Sequence, residues 1–581
     1  MGWIPLVNTR IVDLVLKLLL VSIGYMLTCH VSLAETLPNP TQELLRQQQR
    51  ENDFRQEFEP SPDVFIPQKS PLSQTEDALP LNESPCFALS QIILDGEQAD
   101  SFQFALKPAI SGDDSVLGLC LGVNGINTVI SRIQNTIIAK GYITSRLLVS
   151  PQDLSTGTLN ITVIPGRIHT IRMADDADSR GRYWNALPAR AGDLLNLRDI
   201  EQGLENLKRV PTAEADIQIE PSSEKNARPG DSDIVIRYQQ KTPFRLTLSA
   251  DDGGSESTGK YQGSLTLSAD NLLTLNDLFY FSYNHDLGGG ISGSRGTQGN
   301  TIHYSLPFGY WQLGITASEN EYHQSVSGAS QTFIYSGESK NARVKLSRVV
   351  YRDATRKTSI SLLGYLQSSH NFIDDTEIGV QQRRTAGWEA GVSHQEHINN
   401  TRFDLDLNFH RGTGMFNALE APEEAFNEGT SRPEIITAEI QGAHPFKIGS
   451  QQFHFTSQLR SQWNRTRLIP QDRFSIGGRY TIRGFTGENT LISERGWLIR
   501  NDLSLLLGES GQQLYLGVDY GHVSGPSSKL LIGNHLAGAV LGIRGGYKGL
   551  NWDAFAGTPL SRPKGFRADS TILGFNLSWT Y

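Results

Sequence analysis

Arg402-Phe403-Asp404-Leu405-Asp406-Leu407-Asn408-Phe409-His410 alternates without a break. In an extended strand successive side chains point to opposite faces. Phe403, Leu405, Leu407 and Phe409 therefore share one face, and Arg402, Asp404, Asp406, Asn408 and His410 share the other. The same period recurs elsewhere. Phe453, Phe455 and Leu459 alternate with His454, Thr456, Gln458 and Arg460; Leu514, Leu516, Val518 and Tyr520 alternate with Tyr515, Gly517, Asp519 and Gly521. From about Phe244 onward this alternation, broken by Gly-rich turns, replaces helical spacing. Two folds fit it. A soluble sandwich would bury the apolar face, whereas a membrane barrel would turn that face to lipid and line a wet lumen with the polar one. Periodicity alone does not separate them.

Three features favour the barrel. Tyr310, Trp311, Trp497, Trp552 and Trp579 cluster near strand ends, as interfacial aromatics do. The connections are unequal in length. The last residues form a strand in which Leu573, Phe575, Leu577, Trp579 and Tyr581 face one way. No stretch offers the ~18 uninterrupted apolar residues of a membrane helix, so a membrane-spanning form of this chain must be a barrel. Residues 242–581, at about 10 per strand plus turns, allow roughly 16 antiparallel strands.

The chain has 581 residues and a net charge of −9. It is too long for one core, and its acidic balance argues against a nucleic-acid partner. Residues 1–34 read as a signal peptide. Arg10 and Lys17 precede an apolar run from Leu18 to Leu27, too short to span a bilayer, and Ser32-Leu33-Ala34 is a small-residue cleavage site. A lipoprotein reading at Cys29 meets Thr28 where a smaller residue is expected. Removal of Cys29 leaves Cys86 and Cys120, which in an exported chain suggests a disulfide worth about 3–4 kcal/mol, with two free thiols as the alternative.

Residues 35–58 are polar, with Asn39 as a helix cap, Pro40 at the first helical position and Gln42 completing a capping box. A helix polar on nearly all sides has no face for an ordinary core and suits a water-filled pore; a disordered N-terminus is the competing reading. Residues 59–83, with Pro62, Pro67, Pro71 and Pro80, read as an extended linker. Two β-α-β-β units follow, at 84–165 and 166–241. The first has strands at Phe87–Leu94, Ile143–Val149 and Leu159–Ile164, and a helix face of Ile126, Val129, Ile130, Ile133 and Ile137. The second has strands at Ile168–Met173, Ala215–Ile219 and Asp233–Tyr238, and a helix face of Leu197, Ile200, Leu204 and Leu207.

Several motifs in this frame resemble those of one family. Pro85-Cys86-Phe87, Lys140-Gly141-Tyr142-Ile143-Thr144 and the run Leu197 to Leu204 resemble paired POTRA domains; Thr258-Gly259, Asp270-Asn271-Leu272-Leu273 and Asn276-Asp277 resemble the opening of the following barrel. Ile482-Arg483-Gly484-Phe485, inside a long connection of about 469–494, resembles the [VI]-R-G-[YF] tip of loop 6 in the Omp85 superfamily. Val518-Asp519-Tyr520-Gly521 resembles that superfamily's barrel-wall motif, an Asp two residues before a Gly. Together they resemble the two-partner secretion transporters of the haemolysin secretion type. The resemblance implies α+β periplasmic POTRA domains, an all-β transmembrane barrel in a Gram-negative outer membrane, and a plug helix at residues 35–58. It implies that Arg483 of loop 6 meets Asp519 inside the lumen.

The implied partners are a large exoprotein with an N-terminal secretion domain, captured by the POTRA domains, together with outer-membrane lipid and the barrel-assembly machinery for the transporter's own insertion. A guanidinium and a carboxylate suit a bidentate, charge-assisted pair. In a wet lumen such a pair is expected to exchange, with Arg479 as the nearest substitute cation. The helix Leu197 to Leu207 and its adjoining strand edges are the expected client groove. No cofactor, metal site or catalysis is expected. Gly288 to Gly293 fits G-x-G-x-x-G, but no helix pattern follows it. The rival functions are an assembly insertase, which leaves the plug helix unexplained, and a passive porin or receptor, which leaves residues 84–240 without purpose. The client's identity, as haemolysin, adhesin or toxin, is not written in this chain.

Overall fold

In the computed structural model, which describes residues 40–59, 63–66, 79–80, 83–111, 115–328 and 330–581, a 16-strand antiparallel barrel closes on itself. The signal-peptide segment and Asn39 lie outside the described residues. The first barrel strand, Phe244–Asp251, pairs with the last, Ile572–Thr580, from Asp251 opposite Asn576 to Thr247 opposite Thr580. Closure leaves no unpaired sheet edge, which a bilayer would not tolerate. Phe403, Leu405, Leu407, Leu514, Leu516 and Val518 are exposed on the outer face, whereas Tyr515 and Asp519 are buried inside. The alternation is thus read outward to lipid and inward to a lumen. Among the described residues no helix is long and apolar enough to cross a membrane.

A 19-residue helix, α1 (Pro40–Phe58), occupies that lumen. At ~1.5 Å per residue it is about 28 Å long, comparable with a bilayer's hydrocarbon core. Its contacts with the wall are mostly polar. Arg50 donates to Gln262 at 2.8 Å, and Ser318 donates to Glu51 at 3.4 Å. At its C-terminal end Phe54 and Phe58 stack at 4.4 Å and meet the ring of Tyr280, whose hydroxyl donates to Glu59 at 3.0 Å.

Outside the barrel stand two small α+β units. In the first, strands Gln91–Gly96 and Arg146–Leu148 flank Thr158–Ile164. Helix α2 (Val123–Ala139) packs Val129, Ile133 and Ile137 against Leu159, Ile161 and Val163. The expected Phe87–Leu94 strand is broken at Leu89–Ser90. There the Leu89 N–H donates to Leu119 and the Ser90 N–H to Gly157, so the chain passes from a two-residue ladder with Cys120–Leu121 into the main sheet. The expected Ile143–Val149 strand contracts to Arg146–Leu148 because the Gln134 side chain bonds Ser145 and Leu147 and holds a turn before it. A helical stretch through Ala99–Ile110 was not foreseen; it buries Phe102, Ala105 and Ala109 despite Pro108. Cys86 and Cys120 are joined as a disulfide, with Cα atoms 5.2 Å apart.

The second unit sets strand Asp231–Gln240 between Arg167–Met173 and Ala213–Pro221. Helix α3 (Leu197–Leu207) is capped by Asn196, whose side chain accepts from the Arg198 N–H at 2.9 Å. This unit sits directly on the barrel. Thr212 donates through its hydroxyl to Asp270, Asn185 donates to the Pro307 carbonyl, and Asn206 donates to the Gly309 carbonyl. The turn 271–277 is locked beneath it: Asn276 donates to the Arg182 carbonyl and Asn271 to the Tyr238 hydroxyl. These contacts give the 270–277 part of the barrel-opening motif a local reason: the Asn271 and Asn276 amides and the Asp270 carboxylate bind the second unit, while the Asp277 carboxylate holds the turn itself by accepting from the N–H groups of Leu273 and Leu275.

The Pro-rich linker is anchored where it is described. Leu79 packs on the core of the first unit, and the Glu83 carboxylate accepts from the N–H groups of Gly122, Asn124 and Gly125 at the start of α2. These donors, Gly125 foremost, hold the Glu83 carboxyl below its usual range.

Candidate functional site: the loop 6 lock in the lumen

Alternation along strand Gln513–Ser524 turns Gly517, Asp519 and Gly521 into the lumen. Two flanking strands complete the wall there. Arg500 of Arg495–Leu506 lies opposite Asp519 on one side, and Gly538 of His535–Tyr547 lies opposite it on the other.

Loop 6 runs from the end of strand Gln451–Asn464 to Arg495. It folds inward on a small ladder, Phe474–Ile476 with Leu491–Ser493. An apolar cluster of Ile476, Ile482, Phe485, Leu491, Leu498, Val523, Leu536 and Phe566 fixes the tip against the wall. Thr481 tightens the turn by accepting from the N–H groups of Gly477 and Gly478, both at 3.1 Å. Gly484 takes φ +102°, a conformation that favours glycine.

This scaffold delivers Arg483 to Asp519. The guanidinium donates through Nε to Asp519 Oδ2 at 2.8 Å and through Nη2 to Oδ1 at 2.7 Å, and the Arg483 backbone N–H adds a bond to Oδ2 at 2.9 Å. Nη2 also donates to Asp502 Oδ1 at 2.6 Å. The four residues of the tip and the two of the wall motif therefore form one contact. Ile482 and Phe485 are buried beside the pair, and Gly521 lies under Ile482, which a Cβ there would meet at 2.9 Å.

Two expectations are corrected here. Arg483 and Asp519 retain only 5% and 1% of their accessible surface, so this is a buried pair. The apolar cluster and the close wall exclude the water that would solvate an orphaned partner. Arg479 is not the substitute cation, because it donates to Asp252 at 2.5 Å and to the Phe575 carbonyl at 3.3 Å. The nearby cations are Arg500, 4.0 Å from Asp519, and Arg544, 3.6 Å from Asp502.

Sequence reasoning also missed participants. Asp502 lies directly opposite Gly517 on the adjoining strand of the same hairpin, yet neither strand's alternation shows that the tip of loop 6 docks there. A Cβ on Gly517 would come within 2.7 Å of both Arg483 Nη2 and Asp502 Oδ1. Gly538 and Gly557 leave the neighbouring strands bare where Gly484 presses on them. Clusters of glycines on one lumenal face were the available signal. Loop 6 also grips α1. Arg46 donates to the Gly487 carbonyl at 2.8 Å and lies 3.6 Å from Glu488, whose carboxylate accepts from the Glu256 N–H.

A third correction is that α3 presents no open client groove at rest. Arg198, Glu201, Gln202, Glu205 and Asn206 are all buried, because the helix is pressed between its own sheet and the barrel rim. Arg352 of the barrel bonds Glu201, Gln202 and Glu205 at 2.9–3.2 Å.

Comparison with known proteins agrees with this architecture along the chain. Residues 230–545 match the haemolysin secretion/activation protein ShlB/FhaC/HecB family, 87–166 match the ShlB-type POTRA domain, and 167–221 match a POTRA domain. The outer membrane transporter CdiB-2 of Burkholderia pseudomallei is 34% identical over 533 residues, covering 89% of each chain. The hemolysin transporter protein ShlB of Serratia marcescens is 24% identical over 453 residues, 77% of each. The solved structure of CdiB from Acinetobacter baumannii superposes with a TM-score of 0.82 at 30% identity, covering 94% of this chain and 100% of that one.

Proposed function

Because this chain belongs to the ShlB/FhaC/HecB family of outer-membrane transporters, with its POTRA domains in the periplasm, we propose how its parts divide the work of two-partner secretion. The cargo is one large exoprotein. Its N-terminal secretion domain is captured unfolded by the POTRA domains, whose open strand edges suit β-augmentation. It then leaves through the barrel, which is seated in outer-membrane lipid by the assembly machinery. No reacting group or nucleotide site takes part, and the exoprotein's own folding outside draws transport forward.

The observation that carries this reading is α1, a polar helix filling a closed barrel and held by loop 6 through Arg46 and Gly487. A barrel stoppered by a hydrophilic rod with polar wall contacts is built to open. In this reading α1 is the plug, the Arg483–Asp519 pair holds loop 6 in its resting place, and export begins when both are displaced. The test is to express the chain with the large exoprotein gene that neighbours it and to measure that exoprotein in the medium. Export should require both the chain and the exoprotein's first domain. Unchanged outer-membrane barrel content on depletion separates this function from that of an assembly insertase.

A further inference from the structure

The short segment Asp63–Ile66 lies in a cleft between α3 and the barrel rim. It has no secondary structure of its own, yet almost every group in it is held. The Val64 N–H donates to Glu205 Oε1 at 3.1 Å, and the Ile66 N–H donates to Glu201 Oε1 at 2.9 Å. Alternate N–H groups facing one side are the pattern of an extended chain. The Val64 carbonyl accepts from Arg352. Phe65 sits under the Arg352 guanidinium at 5.4 Å and meets His397 edge-on at 4.8 Å. Ile66 packs on the core of the second POTRA domain. Asp63 accepts from Gln395 at 2.7 Å, contacts His397 at 2.9 Å, and lies 3.4 Å from Arg402.

The walls of this cleft are preset. Arg198 donates to both oxygens of Glu201, at 2.7 and 2.8 Å, and Lys357 donates to both oxygens of Glu205, at 3.2 and 3.3 Å. With Arg352, three cations hold two buried carboxylates in place while one oxygen of each accepts a main-chain N–H from the segment. Binding through alternate N–H groups and a carbonyl, with one aromatic and one acid as side-chain contacts, is a peptide-binding site. Here it is filled by the protein's own chain.

We propose that this cleft is a docking site for an extended segment of the exported polypeptide, an aromatic residue with an acid two positions before it, and that Asp63–Ile66 fills it at rest. The proposal rests on the export reading. Four residues lie between Phe58 and Asp63, and the five steps from one to the other span at most about 18 Å, less than the length of α1. Withdrawal of α1 into the periplasm therefore drags the segment from the cleft. The vacated carboxylates then lack their main-chain donors, and an unfolded polypeptide entering at the same rim supplies them.

The test uses full-length protein in detergent with residues 63–66 replaced by Gly-Ser-Gly-Ser, and a fluorescein-labelled peptide of sequence SPDVFIPQ (residues 61–68). Fluorescence anisotropy should show saturable binding to the replaced protein and binding weaker by about tenfold or more to the unmodified one, whose cleft is filled. N-methylation of the peptide's Val and Ile nitrogens should weaken binding by about tenfold or more without altering the protein. A benzophenone in place of the peptide's Phe should label the rim around Arg352 and His397. The unfolded N-terminal domain of the neighbouring exoprotein should displace the peptide. Absence of binding, equal binding of the N-methylated peptide, labelling elsewhere, or no displacement by a saturating exoprotein domain overturns the proposal. If the unmodified protein exports while the peptide fails to bind, only this proposal falls. If the peptide binds and no exoprotein is exported, the export reading falls.

Discussion

The carbonyl oxygen of Arg483 lies against the Cα of Gly538, so close that a Cβ at 538 would overlap it. The loop therefore touches the wall by main chain as well as by charge, and the wall must be bare where it does so. Gly538→Ala is expected to push the tip outward, breaking the geometry of the Arg483–Asp519 pair while leaving lipid-facing residues untouched. Exported exoprotein per folded, heat-modifiable barrel should fall about tenfold or more, as a shift of roughly 1.4 kcal/mol in loop docking would give. Wild-type export from this variant would show that the contact has no role.

The buried pair predicts coupling. Removing one partner of a buried ion pair costs about 3–5 kcal/mol, and the neighbouring Asp502 and Arg500 should blunt that cost here. Arg483→Ala and Asp519→Ala should each release the tip, and the double variant should lose little more than the worse single one. Arg483→Lys should keep one contact only, since an ammonium lacks the two-pronged fork. Hydrogen exchange at Ile482–Phe485 in the folded protein reads this directly; additive losses would mean that the two residues act independently.

Much of the architecture is legible in the primary structure because strand period and helix period differ. Arg402–His410 can hardly be anything but a half-apolar strand, and the Val129, Ile133, Ile137 stripe places α2 without ambiguity. The Arg483–Asp519 contact was legible only through resemblance, because 36 residues and a folded loop separate the two. What escaped was anything set by where loop 6 docks, such as Asp502 as a second carboxylate for Arg483, and anything set by domain docking. The α3 sequence LRDIEQGLENL looks like a helix with one wet face. That face is dry because Arg352 and the barrel rim cover it, and a polar helix surface gives no sign of a polar partner. The dryness of the lock escaped for the same reason: the cluster that seals it joins residues from Ile476 to Phe566.

Arg46 predicts a conductance phenotype. Its bond to Gly487 is a direct tie between α1 and loop 6. Arg46→Ala should raise the frequency of channel openings in planar bilayers, and deletion of residues 40–58 should raise conductance further. Identical traces from Arg46→Ala and the unmodified protein would contradict this tie.

Glu83 predicts a pH dependence in the first POTRA domain. Its carboxyl is held below its ordinary value by the N–H groups of Gly125, Asn124 and Gly122. A depressed folded-state value means that the charged form stabilises the fold. The contribution is full above the unfolded carboxylate value of about 4.3 and is lost as pH falls through the lower folded value. Amide exchange of Ile126 to Ile130 should be faster in Glu83→Ala than in the unmodified protein at neutral pH, and the difference should close on acidification below about pH 4. A difference that persists unchanged in acid would remove the charged cap.

The most direct measurement of the account is to lock α1 in place. The Ser318 hydroxyl of the wall meets the Glu51 carboxylate of α1 at 3.4 Å. Glu51→Cys and Ser318→Cys are therefore near enough to be joined by a short, reducible bis-methanethiosulfonate linker, since loss of the long glutamate side chain leaves the two thiols too far apart for a direct disulfide. Cells carrying the linked double variant should retain the exoprotein, reductant should restore export, and each single cysteine variant treated with the same reagent should export throughout. Undiminished export with the helix quantitatively bridged would contradict the claim that α1 must leave the barrel for transport.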